Sequence, residues 1–248
     1  MGTSLTAIDL LPNPRAIEHI PKVIARELYD TDVQKSKFQK NLKVMNEGQQ
    51  KIFNMVKDNL MSNLPAKQFI VDAPAGYGKT FLFNLLAYFT RMMGGICLCL
   101  ASTGIAAANM EGGRTAHSTF KLPIPTLEDS VCGVKLQTSE ATVIREAKII
   151  LWDEIFNINK LCIEVVEKFL RDLMGNNLPF GGKVIVFGGD PRQIPSVVRK
   201  GGRAEIVAAS FKSSPLYSGV IKCKLTDNMR VKEDNKEFCN RMMKIGNG

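Results

Sequence analysis

The stretch Phe69-Ile-Val-Asp-Ala-Pro-Ala-Gly-Tyr-Gly-Lys-Thr80 runs an apolar segment into a glycine-rich turn and directly on into a helical pattern beginning Phe81-Leu82-Phe83. A strand, a tight turn and a helix in that order form a phosphate cradle. Successive backbone N–H groups converge on a polyphosphate, and the positive end of the helix adds to them. Gly76 and Gly78 supply the turn, Lys79 reaches the outer phosphates, and the Thr80 hydroxyl meets Mg²⁺. The strict pattern begins with glycine, and this chain has Ala73 there. The competing explanation is a chance Gly-Lys-Thr at the start of some helix, and the strand before and helix after argue against it. Nucleotide binding is therefore the default expectation.

Hydrolysis needs more than a cradle: a carboxylate for the metal, a group that orients water, and positive charge for the transition state. Lys148-Ile-Ile-Leu-Trp152 is a continuous apolar run, the mark of a strand buried on both faces, and it delivers Asp153-Glu154 at its C-terminal end. Ligands of parallel α/β sheets bind at that edge. Asp153 is placed to hold Mg²⁺ and Glu154 to act as general base on water. The alternative, an acidic pair capping the next helix, is weakened by Asn159, which sits nearer that helix start. Another apolar run, Lys183 to Gly188, leads to Gly189-Asp190-Pro191-Arg192-Gln193. Gln193 can donate and accept, which suits a sensor of γ-phosphate and water. The stretch Ile221–Leu225 leads to Arg230, a candidate arginine finger. Taken alone, these two segments read equally well as an ordinary turn and a surface arginine.

Strands are expected near 67–72, 95–101, 148–153, 183–188 and 221–225, alternating with helices near 48–62, 79–93, 103–111, 160–174 and 234–245. That alternation specifies an α/β fold, a parallel sheet with helices on both faces. The 248 residues, 45% hydrophobic, suffice for one large domain. Residues 1–45 are polar and punctuated by Pro12, Pro14 and Pro21, which reads as a lead-in arm; residues 46–248 read as the domain proper. Lys35, Lys37, Lys40 and Lys43 are spaced like a solvated helix face. The interval Leu122–Ser139, with Pro123, Pro125 and Gly133, reads as a surface loop, either idle or touching a partner.

The formal net charge of +9 favours a polyanionic partner without naming one. Six cysteines occur without a CxxC pair and with two histidines to help them. Cys97 and Cys99 alternate onto one face of an expected strand, so small core residues explain them better than zinc or a disulfide. Reduced thiols imply an intracellular protein. No window holds the apolar run of a membrane span. Nuclear residence would suit a eukaryotic source, although no basic cluster of the targeting kind occurs.

Seven blocks stand in one register: Met45-Asn-Glu-Gly-Gln-Gln50, Asp72 to Thr80, Ala101-Ser-Thr-Gly-Ile-Ala-Ala107, Gly112-Gly-Arg-Thr-Ala-His-Ser-Thr-Phe-Lys121, Trp152-Asp-Glu154, Gly188 to Gln193, and Leu225-Thr-Asp-Asn-Met-Arg230. From about Ile24 onward the chain resembles the first RecA-like motor domain of the petite-integration-frequency (Pif) family of superfamily-one DNA helicases, in its Helitron-helicase-like branch. The resemblance implies a P-loop NTPase that hydrolyses ATP with Mg²⁺ to move 5′ to 3′ on single-stranded DNA and unwind duplex, in repair, recombination or telomere maintenance. It implies that Gln49 reads the adenine edge, that Lys79, Thr80, Asp153 and Glu154 hold phosphates, metal and water, and that Gln193 and Arg230 sense the γ-phosphate. Thr103, His117 and Ser118 would touch the DNA backbone.

Read from the residues alone, the 112–121 block is open: Arg114, Lys121 and Phe120 could contact phosphates and stack a base, or form a satisfied loop around a core phenylalanine. The cradle departs from the family at Ala75 and Tyr77, which makes its turn stiffer and bulkier. No second motor domain follows Arg230 in the sequence. Two other functions are therefore expected alternatives, a non-catalytic helicase relic that holds nucleotide or DNA, and an unrelated P-loop kinase. Gln49, Gln193 and Arg230 in register argue against the kinase.

Overall fold

Along each central strand, neighbouring side chains point to opposite faces, and the apolar runs of this sequence therefore build two cores rather than one. The computed structural model describes residues 22–62, 65–193 and 201–229. Its elements are α1 (Lys22–Ala25), α2 (Thr31–Leu42), α3 (Glu47–Met61), β1 (Gln68–Asp72), α4 (Lys79–Met92), β2 (Ile96–Ala101), α5 (Gly104–Ala108), β3 (Arg114–Thr115), α6 (Ala116–Phe120), α7 (Ser139–Glu146), β4 (Ala147–Asp153), α8 (Lys160–Met174), β5 (Val184–Gly189), α9 (Arg203–Ala209) and β6 (Ile221–Lys224). Among the described residues the strands form one sheet in the order β3-β2-β4-β5-β1-β6, every pairing parallel.

The alternation is explicit. Ile70, Leu98, Leu100, Ile150, Trp152, Ile185 and Phe187 pack with Phe120 of α6, Ile144 of α7 and Ile163, Val166 and Leu170 of α8. Phe69, Val71, Cys97, Cys99, Ile149, Leu151 and Val186 pack on the other face with Phe53 and Val56 of α3 and Leu82, Phe83 and Leu86 of α4. Each such fully buried apolar side chain contributes roughly 1.5–3 kcal/mol. Cys97 and Cys99 are thus core residues of the α3–α4 face, as their spacing requires.

The ends of the helices follow local chemistry. Asn46 and Gln49 form a reciprocal capping box at the start of α3, and Asp30 caps α2 by accepting from the Asp32 and Val33 N–H groups. Asn159 accepts from Leu161 N–H and caps α8, which releases Asp153-Glu154 from that duty. The helix expected over 103–111 stops at Ala108, short of Gly112 and Gly113.

Six described elements have no counterpart among the expected helices and strands: α1, α2, of which only the lysine spacing gives a hint, the two-residue β3, and the short α6, α7 and α9. Residues 122–138 form neither helix nor strand, yet the segment is anchored: Leu122 and Val134 are buried while Ile124 is 83% exposed. The helix expected at 234–245 lies outside the described residues.

Candidate nucleotide and nucleic-acid site

The cradle begins where β1 ends. Ala73 N–H donates to the Gly189 carbonyl at 3.2 Å, and Tyr77 N–H to the Pro74 carbonyl at 3.3 Å. Gly76 and Gly78 take φ of 89° and 80°, the left-handed region that favours glycine. Ala73, Ala75 and Tyr77 do not; among the described non-glycine residues only Lys121, Glu154 and Phe180 do. The departures from the strict pattern therefore introduce no backbone strain, and the Tyr77 ring is taken up by the α3–α4 core. At Gly78 a Cβ would stand 2.2 Å from Gln49 Nε2, so the turn is closed against α3.

Lys79 and Thr80 open α4, with Lys79 8% exposed and Thr80 half-buried. The Lys79 ammonium lies between the two carboxylates that end β4, 2.7 Å from Asp153 Oδ1 and 3.1 Å from Glu154 Oε1. Burial works against its charge, but the two carboxylates outweigh burial and hold its pKa above the ordinary lysine value. Asp153 Oδ1 also accepts the Glu154 N–H at 2.7 Å, and Asn157 Nδ2 donates to Glu154 Oε2 at 3.4 Å.

Glu154 itself has φ 56° and ψ 43°, a conformation that costs a non-glycine residue energy and that clusters at functional positions. Gly188, at the end of neighbouring β5, makes this packing possible. A Cβ there would meet Phe83 Cζ at 2.7 Å, Lys79 Cδ at 2.9 Å and Asp153 Oδ1 at 3.0 Å.

Gln49 is buried beside the cradle, but its amide is engaged: the oxygen accepts Asn46 N–H at 3.1 Å and Nε2 donates to the Gly78 carbonyl at 3.3 Å. Reading a base edge would require it to exchange one of these partners. Gln193 stands at the same sheet edge, where its N–H donates to the Asp190 carbonyl at 3.1 Å. Arg192 fixes that turn, donating from Nε to Asp190 Oδ1 at 2.6 Å and from Nη2 to Asp72 Oδ1 at 2.9 Å. Past β6, Met229 N–H donates to the Gly76 carbonyl at 2.9 Å, which brings the chain leading to Arg230 onto the cradle. Arg230 itself lies outside the described residues.

The expected DNA residues gather at the end of the adjacent strands β2 and β3, paired Leu100 with Arg114 and Ala101 with Thr115. Exposed Thr103 caps α5, accepting Ala106 N–H at 3.3 Å. Exposed Ser118 donates to the Thr115 carbonyl at 2.9 Å, and half-buried His117 places Nε2 4.0 Å from Cys162 Sγ. Burial lowers the His117 pKa below its ordinary value.

The other candidates of this block are otherwise engaged. Phe120 is fully buried and stacked on Trp152 at 6.2 Å between ring centroids, so the stacking role considered for it gives way to the core. Arg114 is paired with Glu27 at 2.7 Å and Lys121 with Glu140 at 3.0 Å.

With this geometry in place, the family described as PIF1-like helicase matches residues 44–248. The chain belongs to the PIF1-like helicase family. The ATP-dependent DNA helicase PIF1 of Candida albicans is 31% identical over 169 residues, 63% of this chain and 18% of that protein. The ATP-dependent DNA helicase Pif1 of Psychrobacter is 27% identical over 173 residues, covering 69% and 26%. A Pif1 helicase from Bacteroides solved in complex with ADP-AlF3 and ssDNA superposes with a TM-score of 0.68 at 27% identity, over 82% of this chain and 46% of that one. The chain therefore spans about a quarter or less of these curated relatives and under half of the solved one. Its fold is the RecA-like α/β fold of the PIF1-like family.

Two residues that shape the candidate site have no individual signal in the sequence. Arg192, the link between Asp72 and Asp190, reads as one more residue of a turn, and Gly188 as the end of a strand. The signal available for both was their place in the Gly188–Gln193 block beside a phosphate cradle. Thr80 and Asp153 present hard oxygen donors of the kind Mg²⁺ takes. The Lys79 ammonium seated against Asp153 marks that position as one that holds positive charge. The residues present fit the ion.

Proposed function

We propose that this chain is an ATP-binding and ATP-hydrolysing motor domain of a DNA helicase, with residues 1–45 as its lead-in arm and 46–248 as the motor unit. The observation that carries the reading is Lys79 held between Asp153 and Glu154 at the C-terminal edge of the sheet, with Glu154 in a left-handed conformation. The arrangement suits a resting site. Without nucleotide, the lysine offsets two adjacent carboxylates; with nucleotide, it transfers its hydrogen bonds to phosphate oxygens and frees both carboxylates. Mg²⁺, when bound, supplies Lewis-acid stabilisation of the phosphates and is held by Thr80 and Asp153.

Glu154 then orients the attacking water and accepts its proton, steadied by Asn157. Gln193 senses the γ-phosphate from the turn that Arg192 fixes, and Arg230 approaches along the segment tied to Gly76. Gln49 closes the nucleobase side. Thr103, His117 and Ser118 form a short track for single-stranded DNA, a reading supported by the ssDNA-bound Bacteroides helicase. Movement 5′ to 3′, and service in repair, recombination or telomere maintenance, are part of the proposal through the Pif family likeness.

The test is ATP hydrolysis by the 248-residue chain with Mg²⁺, with and without single-stranded DNA, using Lys79→Ala as the blank. We expect Mg²⁺-dependent hydrolysis that DNA stimulates and that Lys79→Ala abolishes. Hydrolysis at the wild-type rate in Lys79→Ala refutes the phosphate assignment. Binding of ATP and DNA without turnover assigns the chain instead to a nucleotide- and DNA-binding module.

A further inference from the structure

The turn that carries the chain into the DNA track has little support of its own. β3 is two residues long and α6 five, both far below the length at which such elements are stable alone. Pairing with β2 and the burial of Ala116 and Phe120 hold one side of the turn; the other side is held by the segment that precedes the cradle. Glu27, 6% exposed, accepts from Arg114 Nη2 at 2.7 Å. The Tyr29 ring lies 3.8 Å from the buried Arg91 guanidinium, whose Nη2 donates to the Glu111 carbonyl at 3.0 Å. Gly112, at φ 72°, passes so close to Tyr29 that an added Cβ would stand 2.1 Å from its hydroxyl. Lys37 of α2 donates to Glu111 Oε2 at 2.7 Å.

We propose that residues 24–42 are a brace that positions the single-stranded DNA track: Glu27 fixes Arg114, and Tyr29 and Lys37 fix the Glu111–Gly112 turn, so that Thr115 to Ser118 keep the arrangement that meets DNA. The inference rests on the DNA reading above and goes beyond it. It makes Glu27 and Arg114 positioning residues rather than phosphate contacts. Drawing Arg114 away to an exposed phosphate would leave the Glu27 carboxylate buried without its partner, a costly exchange.

The experiment is binding of a fluorescently labelled oligo-dT to the full 248-residue chain over a range of salt, for wild type, Glu27→Gln and Arg114→Met, alongside ATP binding and amide hydrogen exchange. Both variants should weaken oligo-dT binding roughly tenfold, in the range of coupling between contacting residues, with no change in the salt slope. Glu27→Gln should leave ATP binding unchanged while exchange quickens over residues 111–118. Gln keeps a hydrogen bond to Arg114 within reach, so the fold is retained.

Three results overturn the proposal. If Arg114→Met lowers the salt slope by about 0.7, the share of one phosphate on a single strand, while Glu27→Gln tightens binding, then Arg114 is a contact that Glu27 masks. If wild type binds oligo-dT and the variants match it, or exchange over 111–118 is unmoved, the brace is wrong and the DNA reading stands. If wild type does not bind oligo-dT, the DNA reading itself fails and the brace with it.

Discussion

Gly188→Ala tests the packing of the site more sharply than any change to a charged residue. The added methyl would lie 2.7 Å from Phe83 Cζ, 2.9 Å from Lys79 Cδ and 3.0 Å from Asp153 Oδ1. β5 cannot retreat, because it is hydrogen-bonded to β4 on one side and β1 on the other. Phe83 is fully buried and has nowhere to turn. The least costly response is therefore movement of the Lys79 stem, and forcing it costs roughly 1–3 kcal/mol of stability. A displaced Lys79 loses its charge-assisted contacts, each worth about 1.5–3 kcal/mol. ATP affinity should fall roughly ten- to hundredfold.

Gly189→Ala is the control. Its methyl would meet Phe156 Cδ2 at 2.8 Å and not Lys79, so it should lose similar stability while keeping most of its nucleotide affinity. Denaturant unfolding followed by the single tryptophan, Trp152, measures the first quantity, and titration with a fluorescent ATP analogue the second. Gly188→Ala binding the analogue as wild type does, or losing no more affinity than Gly189→Ala, would refute this account of how Lys79 is placed.

Three further changes probe neighbouring groups. Glu154→Gln should bind ATP normally and lose hydrolysis at least a hundredfold, on the order of what a positioned general base contributes; equal loss of binding and turnover in paired assays would make Glu154 structural. Arg192→Met should cost about 2 kcal/mol by leaving Asp190 and Asp72 without their shared donor, and should slow hydrolysis through Gln193; denaturant midpoints and turnover together check it. His117 has a folded pKa below its unfolded one, so its contribution to stability is present above about pH 6.5 and is lost as pH falls through the folded value. Stability measured from pH 8 to 5 should decline less in His117→Gln than in wild type, and parallel curves would dismiss the assignment.

The sheet was legible because buried parallel strands are written as continuous apolar runs; α8, expected at 160–174, spans Lys160–Met174. Lys35 and Lys40 lie on the exposed helix face their spacing suggested, whereas Lys43 is the residue that ends α2 and Lys37 is drawn to Glu111. β3 was not legible, since Arg114-Thr115 has no apolar content and exists as a strand only through its pairing with β2. Of the candidate site, the meeting of Lys79 with Asp153 and Glu154 was legible as residue types in register. Which candidates were free was not, because Glu27 and Glu140 lie 87 and 19 residues from the cations they hold. Long-range pairing of that kind has no local signature.

The Gly188–Gln193 block is fastened more firmly than Gln193, its proposed sensor, would by itself require. Gly188 leaves room for Lys79, the Gly189 carbonyl holds the first N–H of the cradle turn, and Asp190 reaches Asp72 through Arg192. Gln193 donates its own N–H to the Asp190 carbonyl. Asp190 and Arg192, between Gln193 and the strand, are thus fastened to each other and to Asp72 at the end of β1. If Gln193 senses a γ-phosphate as proposed, its displacement passes to Asp190 and Arg192, and through Arg192 to Asp72, immediately before Ala73. Arg192→Met removes the side-chain link and leaves the Gly189–Ala73 backbone bond in place. If the backbone bond alone carried the coupling, the variant would lose stability and keep its turnover; a loss of turnover at unchanged ATP affinity assigns the coupling to the arginine.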